Sequence, residues 1–142
     1  KEKVVAYNIP AAFYDQLKQG ADYVTKDGTV IQNELVTLPN LAPRSYAFCA
    51  DTIYDEQIAE TVRGVNLLYH ETTYLADQAE RAASRFHTTT AQAAAIASKA
   101  GAEKLLIGHF SSKYETLDAF LAETKQFFPQ TQLATEGTTF LI

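Results

Sequence analysis

The sequence predicts an α/β fold. Short apolar runs, SYAFCA, VNLLY and KLLIG, alternate with stretches of helical periodicity. Each run gives way to polar residues of metal-binding or proton-transferring type, and turn signals separate the elements. At 142 residues, with 46% hydrophobic and 20% charged residues, the chain has the length and composition of one globular domain. No repeat, linker or low-complexity segment is visible, so residues 1–142 are expected to form a single α/β unit.

The elements follow in order. Pro10 suits the first turn of a helix through AAFYDQLKQ, which Gly20 closes. In VTKDGTVI, Asp27-Gly28 lies between two strand-favouring runs and predicts a hairpin. The loop LPNLAPR leads to the strand SYAFCA, which ends at Asp51, and a helix spans 55–63 with Ile58 and Val62 on one face. VNLLY is the next strand, ending at His70. Helices are expected over 75–84 and 89–100, the second stopped by Gly101. KLLIG ends at His109, a helix spans 116–128 before Pro129, and two short strands near QLAT and TTFLI finish the chain.

Charge and cysteine content narrow the function. A net charge of −5 argues against a surface that coats nucleic acid, although an RNA-cutting enzyme can concentrate its basic residues at its site. The single cysteine, Cys49, excludes an internal disulfide and fits a reducing, cytoplasmic setting. No apolar stretch approaches the roughly 20 residues that span a bilayer, and no signal peptide is visible, so no membrane partner is expected. The chain opens on Lys1 and contains no methionine, which reads as a processed chain or a piece of a longer one.

The ends of the strands are where chemistry is expected. Asp51 follows SYAFCA, His70-Glu71 follows VNLLY and His109 follows KLLIG; parallel strands joined by helical crossovers place their carboxyl ends on one edge. His87, just before the helix of 89–100, can lie beside the same edge. Blander readings stand next to this one. Asp51-Thr52 also fits a helix cap, Glu71 a solvated carboxylate, His87 a residue capping or flanking its own helix, and His109 a histidine satisfied at a strand edge.

Taken together, FCADT, LLYHETTY, FHTTTAQAA and LLIGHFSSKY, in this order and spacing, resemble the carboxyl-terminal half of the ribonuclease Z family. The resemblance runs from about Pro10 to the last strand. It implies a metallo-β-lactamase fold, an αββα sandwich with a mixed sheet and flanking helices, and a zinc-dependent endoribonuclease that removes the 3′ trailer of precursor tRNA by attack of metal-activated water on a phosphodiester. It further implies that Asp51 bridges two zinc ions and that His109 binds one of them. Glu71 and His87 become the pair that protonates the leaving ribose oxygen, with Glu71 orienting His87. His70 inherits no role and is read as a packing or supporting histidine.

Departures from the family pattern are Thr72 for alanine, Thr88 for serine and Lys113 for arginine. Lys113 keeps the charge expected to hold RNA phosphate but lacks the bidentate fork. The chain also has no His-x-His-x-Asp-His motif, so the amino-terminal half with most of the zinc ligands is expected to be absent and the piece alone to be inactive, with zinc partial or missing. A phosphodiesterase or arylsulfatase of the same fold, or a non-catalytic binding or dimerisation module, are the alternatives. Because the three runs read as strands buried on both faces, a sheet face lacking its cover is expected to drive homodimerisation or to hold the missing half.

Overall fold

The computed structural model of the chain describes residues 2–38 and 43–142. These residues form two compact units, Lys1–Ala42 and Pro43–Ile142, where the sequence suggested one. The reason is that each unit closes its own core: Ile9, Leu17, Tyr23, Ile31 and Val36 in the first, and a larger cluster around Leu68, Leu105, Ile107 and Phe120 in the second. Local composition does not record which apolar residues meet. Residues 39–42 of the loop LPNLAPR lie outside the described residues. Among the described residues no helix is long and apolar enough to cross a membrane.

In the first unit α1 (Glu2–Ala6) was not anticipated. The helix after Pro10 is shorter than expected: a 3-10 turn over Ala11–Phe13 runs into α2 (Tyr14–Lys18). The hairpin forms as predicted, with β1 (Tyr23–Val24) antiparallel to β2 (Val30–Ile31). Gly28 takes the left-handed conformation that the turn requires, at φ 86°. A short α3 (Asn33–Val36) follows, and the Asn33 amide donates to the carbonyls of Leu17 at 2.8 Å and Ala21 at 2.9 Å.

The second unit is built on a four-stranded sheet in which every pairing is parallel, in the order β3 (Tyr46–Cys49), β4 (Leu67–Glu71), β5 (Lys104–Gly108), β6 (Thr131–Leu133). The crossovers carry α4 (Gln57–Thr61); a 3-10 turn (Ala76–Gln78) with α5 (Ala79–Ser84) and α6 (Thr90–Ala100); and α7 (Asp118–Phe127). Leu68, Leu105 and Ile107 meet Ala94, Ile96 and Ala97 of α6 and Phe120 of α7. The alanines let α6 lie close to the sheet.

Two strand predictions change. β4 runs on through His70 and Glu71, both fully buried, because they continue the pairing opposite Ile107 and Gly108. TTFLI forms no strand: the tail uses its side chains instead, and Phe140 and Ile142 line a hollow with Tyr46, Leu67 and Leu106. Arg44 and Lys104 donate to the carbonyls of Ile142 and Leu141. Burial on both faces holds for β4 and most of β5 but not for β3, where Tyr46 is 47% and Phe48 63% exposed. Phe48 stacks on Tyr69 with ring centres 4.5 Å apart.

Candidate functional site

Strand register assembles the site. Cys49, His70 and Ile107 are aligned across β3, β4 and β5, and Glu71 stands opposite Gly108. Asp51, Glu71 and His109 therefore emerge at one edge of the sheet. Asp51 and His109 turn off their strands with left-handed backbones, φ 48° and 60°, a conformation that non-glycine residues keep only where surroundings hold it. His87 reaches the edge from the other side, between α5 and the capped start of α6. A bridge between Tyr74 and Thr89 secures that loop.

One ligand atom from each of Asp51, Glu71, His87 and His109 falls in a cluster no wider than 4.8 Å. The helix-cap readings of Asp51 and His87 are not met. Asp55, not Asp51, accepts through its carboxylate from the Gln57 amide at the start of α4, and Thr89 with Gln92, not His87, caps α6 through a reciprocal capping box. His70 lies apart from the four. Its Nδ1 donates to the Glu71 carbonyl at 2.8 Å, and its Nε2 has no hydrogen-bond partner. Burial pushes its pKa below the ordinary histidine value, so it is neutral.

Glu71 organises the site. Its Oε1 accepts from the Thr52 amide at 2.9 Å and from His87 Nδ1 at 2.9 Å; its Oε2 accepts from the Thr73 hydroxyl at 2.6 Å and the Thr73 amide at 3.2 Å. Burial opposes its charge, but the bonds from Thr73, His87 and the Thr88 backbone outweigh that effect and hold its pKa below the ordinary carboxylate value. With both oxygens occupied, Glu71 suits an orienting carboxylate and not a metal ligand. It fixes the His87 proton on Nδ1 and leaves Nε2 free on a partly exposed ring.

His109 and Asp51 are arranged differently. The Thr73 oxygen lies 3.0 Å from His109 Nδ1. Its single proton is committed to Glu71, the shortest contact, so Nδ1 donates and, in the neutral ring, Nε2 keeps its lone pair. That nitrogen faces Asp51 Oδ1 at 3.1 Å. A lone pair against a carboxylate oxygen is unfavourable until a proton or a cation lies between them, and a neutral imidazole with an ionised carboxylate is a donor set that zinc accepts. Asp51 and His109 thus fit a metal.

Lys113 sits at the rim. Its Nζ lies over the Tyr74 ring at 5.1 Å and the Tyr114 ring at 4.6 Å, and the Tyr74 ring is 6.2 Å from that of His87. Sequence reasoning missed the threonines that hold the site together. Thr73 joins Glu71 to His109, and Thr88 donates to the Thr52 carbonyl at 2.6 Å, tying the His87 loop to the Asp51 loop. The available signal was their burial-prone company: hydroxyls in pairs and triplets beside apolar runs.

No family model matches the chain. Ribonuclease Z of Bacteroides fragilis is 45% identical over 137 residues, 96% of this chain and 45% of that protein. Ribonuclease Z of Cytophaga hutchinsonii is 47% identical over 129 residues, 89% of this chain and 41% of that one. Among solved structures, the metallo-beta-lactamase fold protein YhfI from Bacillus subtilis matches with a TM-score of 0.60 and 28% identity, over 64% of this chain and 37% of its own. The chain therefore has the metallo-β-lactamase fold and is a relative of ribonuclease Z, spanning somewhat less than half the length of the curated relatives it matches.

Proposed function

We propose that this chain supplies two metal ligands and the proton-transfer pair of a zinc-dependent endoribonuclease that removes the 3′ trailer of precursor tRNA. The observation that carries the reading is the cluster of Asp51, Glu71, His87 and His109, in a chain 45% identical to a protein named ribonuclease Z. Asp51 and His109 would hold metal, the carboxylate being able to reach two ions and the imidazole one. Zinc, when bound there, supplies Lewis acidity to the phosphate and lowers the pKa of a coordinated water.

The remaining steps belong to side chains. Glu71 holds the His87 Nδ1 proton, so Nε2 is where the ring takes up a second proton, and from the doubly protonated ring Nε2 gives it to the departing ribose 3′ oxygen, leaving the neutral Nδ1–H ring. Thr73 sets the rotation of the His109 ring and thereby the direction of its Nε2. Lys113, over the Tyr74 ring, supplies a point charge for RNA phosphate.

The test uses a polypeptide that carries this chain within the full length of its relatives. His87→Ala is expected to keep its zinc and to cut precursor tRNA more slowly by roughly 10²–10⁴-fold, the range for loss of a general acid. Asp51→Ala is expected to lose zinc and cleavage together. Cleavage by His87→Ala at the parental rate would refute the proton-donor role. Preference for a small aryl phosphodiester over the transcript would refute the substrate.

A further inference from the structure

We propose that Phe86 is a stacking platform for one unpaired nucleobase of the RNA strand, next to the phosphate that is cut. The inference rests on the endoribonuclease reading. It starts from two helix ends in the same chain that adopt the same motif with opposite residues.

Helix α6 ends with Gly101 at φ 65°, the Gly101 amide bonded to the Ser98 carbonyl at 3.1 Å and the Ala102 amide to Ala97 at 3.1 Å. Helix α5 ends identically, the Phe86 amide bonded to Ala83 at 3.2 Å and the His87 amide to Ala82 at 2.9 Å, but the left-handed residue is Phe86 at φ 59°. Glycine is the residue this position favours, because a side chain there crowds the backbone. Phe86 gains nothing in return from burial: it is 72% exposed and absent from the core clusters. Both the backbone and the exposed ring count against phenylalanine as a choice for folding.

The position accounts for it. Among the described residues of the second unit, the non-glycine residues with positive φ are Asp51, Phe86 and His109. Two of them are site residues, and the third directly precedes His87, whose ring is 5.3 Å from that of His109. Cations lie near His87: the Arg81 guanidinium is 5.8 Å and Lys113 Nζ 5.1 Å from the centre of the Tyr74 ring, itself 6.2 Å from the His87 ring, and Arg85 adjoins Phe86 in the chain. In a chain of net charge −5 these are concentrated positive charges. An exposed aromatic residue next in the chain to His87, with cations over the Tyr74 ring beside that histidine, matches single-stranded RNA: phosphates meet the cations and a base covers the Phe86 ring, with little preference for its identity.

The test measures binding of precursor tRNA to the full-length protein, with the bases on either side of the cut replaced one at a time by abasic sites. One abasic position is expected to weaken binding by about 5- to 100-fold, the span of base–aromatic stacking. Phe86→Gly should lose a similar factor on intact RNA, lose nothing further on that abasic RNA, and melt no lower than the parent. Phe86→Tyr should bind as the parent does. Equal affinity of parent and Phe86→Gly for intact RNA, with cleavage preserved, would overturn the platform while leaving the nuclease reading in place. A large fall in melting temperature of Phe86→Gly would also overturn it, by showing the ring packed against protein. If the parent neither binds nor cuts the RNA, both readings fail.

Discussion

His109 Nε2 and Asp51 Oδ1 face each other at 3.1 Å, each without another side-chain partner among the described residues. Two ligands fall short of the roughly four a closed zinc site needs, or three plus water for a catalytic one. The chain by itself is expected to bind zinc only weakly, above micromolar concentration. Calorimetry showing submicromolar binding that vanishes in His109→Ala would contradict this.

Thr73→Val removes one hydroxyl and keeps the shape. It leaves a buried Glu71 oxygen short of a donor and His109 Nδ1 short of an acceptor. The expected loss is about 1–3 kcal/mol of stability, the usual cost of such an orphaned group. Urea unfolding measures it, and Thr73→Ser, which restores the hydroxyl, should recover most of the loss.

Stability should depend on pH through His70. Its folded pKa lies below the ordinary 6.5 because burial disfavours its charge. The unfolded chain therefore takes up the proton first. His70's contribution is complete above pH 6.5 and declines as pH falls through the folded value. Glu71 adds a separate loss below its ordinary 4.5, since its folded pKa is also depressed. Melting temperatures should fall below pH 6.5 in the parent and less steeply in His70→Leu. Equal slopes would refute the assignment.

Gly108 has no room for a side chain: a Cβ there would sit 2.5 Å from the Tyr69 hydroxyl and 2.8 Å from its ring. Tyr69 is held by stacking on Phe48. Gly108→Ala is expected to cost about 1–3 kcal/mol, as overpacking does, and Tyr69→Leu in the same chain to recover part of it. Chemical denaturation of the two variants checks the pairing.

The outward face of β3 leaves Tyr46 and Phe48 exposed. Light scattering at micromolar concentration is expected to give a dimer of the 15.7 kDa chain. A stable monomer would mean that the tail through Phe140 and Ile142 covers enough of the sheet.

The sequence disclosed the parts of this architecture that depend on local pattern. The runs SYAFCA, VNLLY and KLLIG form β3, β4 and β5, and because parallel strands align their ends, the convergence of Asp51, Glu71 and His109 is legible in the sequence. His87 was placed by the capping signal that follows it. What escaped depends on contacts. TTFLI has strand-forming residues but lays Phe140 and Ile142 beside Tyr46, Leu67 and Leu106 instead of pairing along an edge strand. Glu71 was open to reading as solvated because nothing local shows that four donors await it. Thr73 looked like any threonine, since its role lies in a bond to a residue 36 positions away.

That separation recurs throughout the site. Thr52 meets Glu71 across 19 positions, Glu71 meets His87 across 16, and Thr88 reaches back to Thr52 across 36. Long-range parallel pairing is slow to form, because loop closure precedes the contacts that reward it. A growing chain therefore holds Asp51, Glu71, His87 and His109 scattered until β5 docks beside β4. Their convergence reports that β3, β4 and β5 have docked, so the cluster is assembled late and serves as a clock for folding.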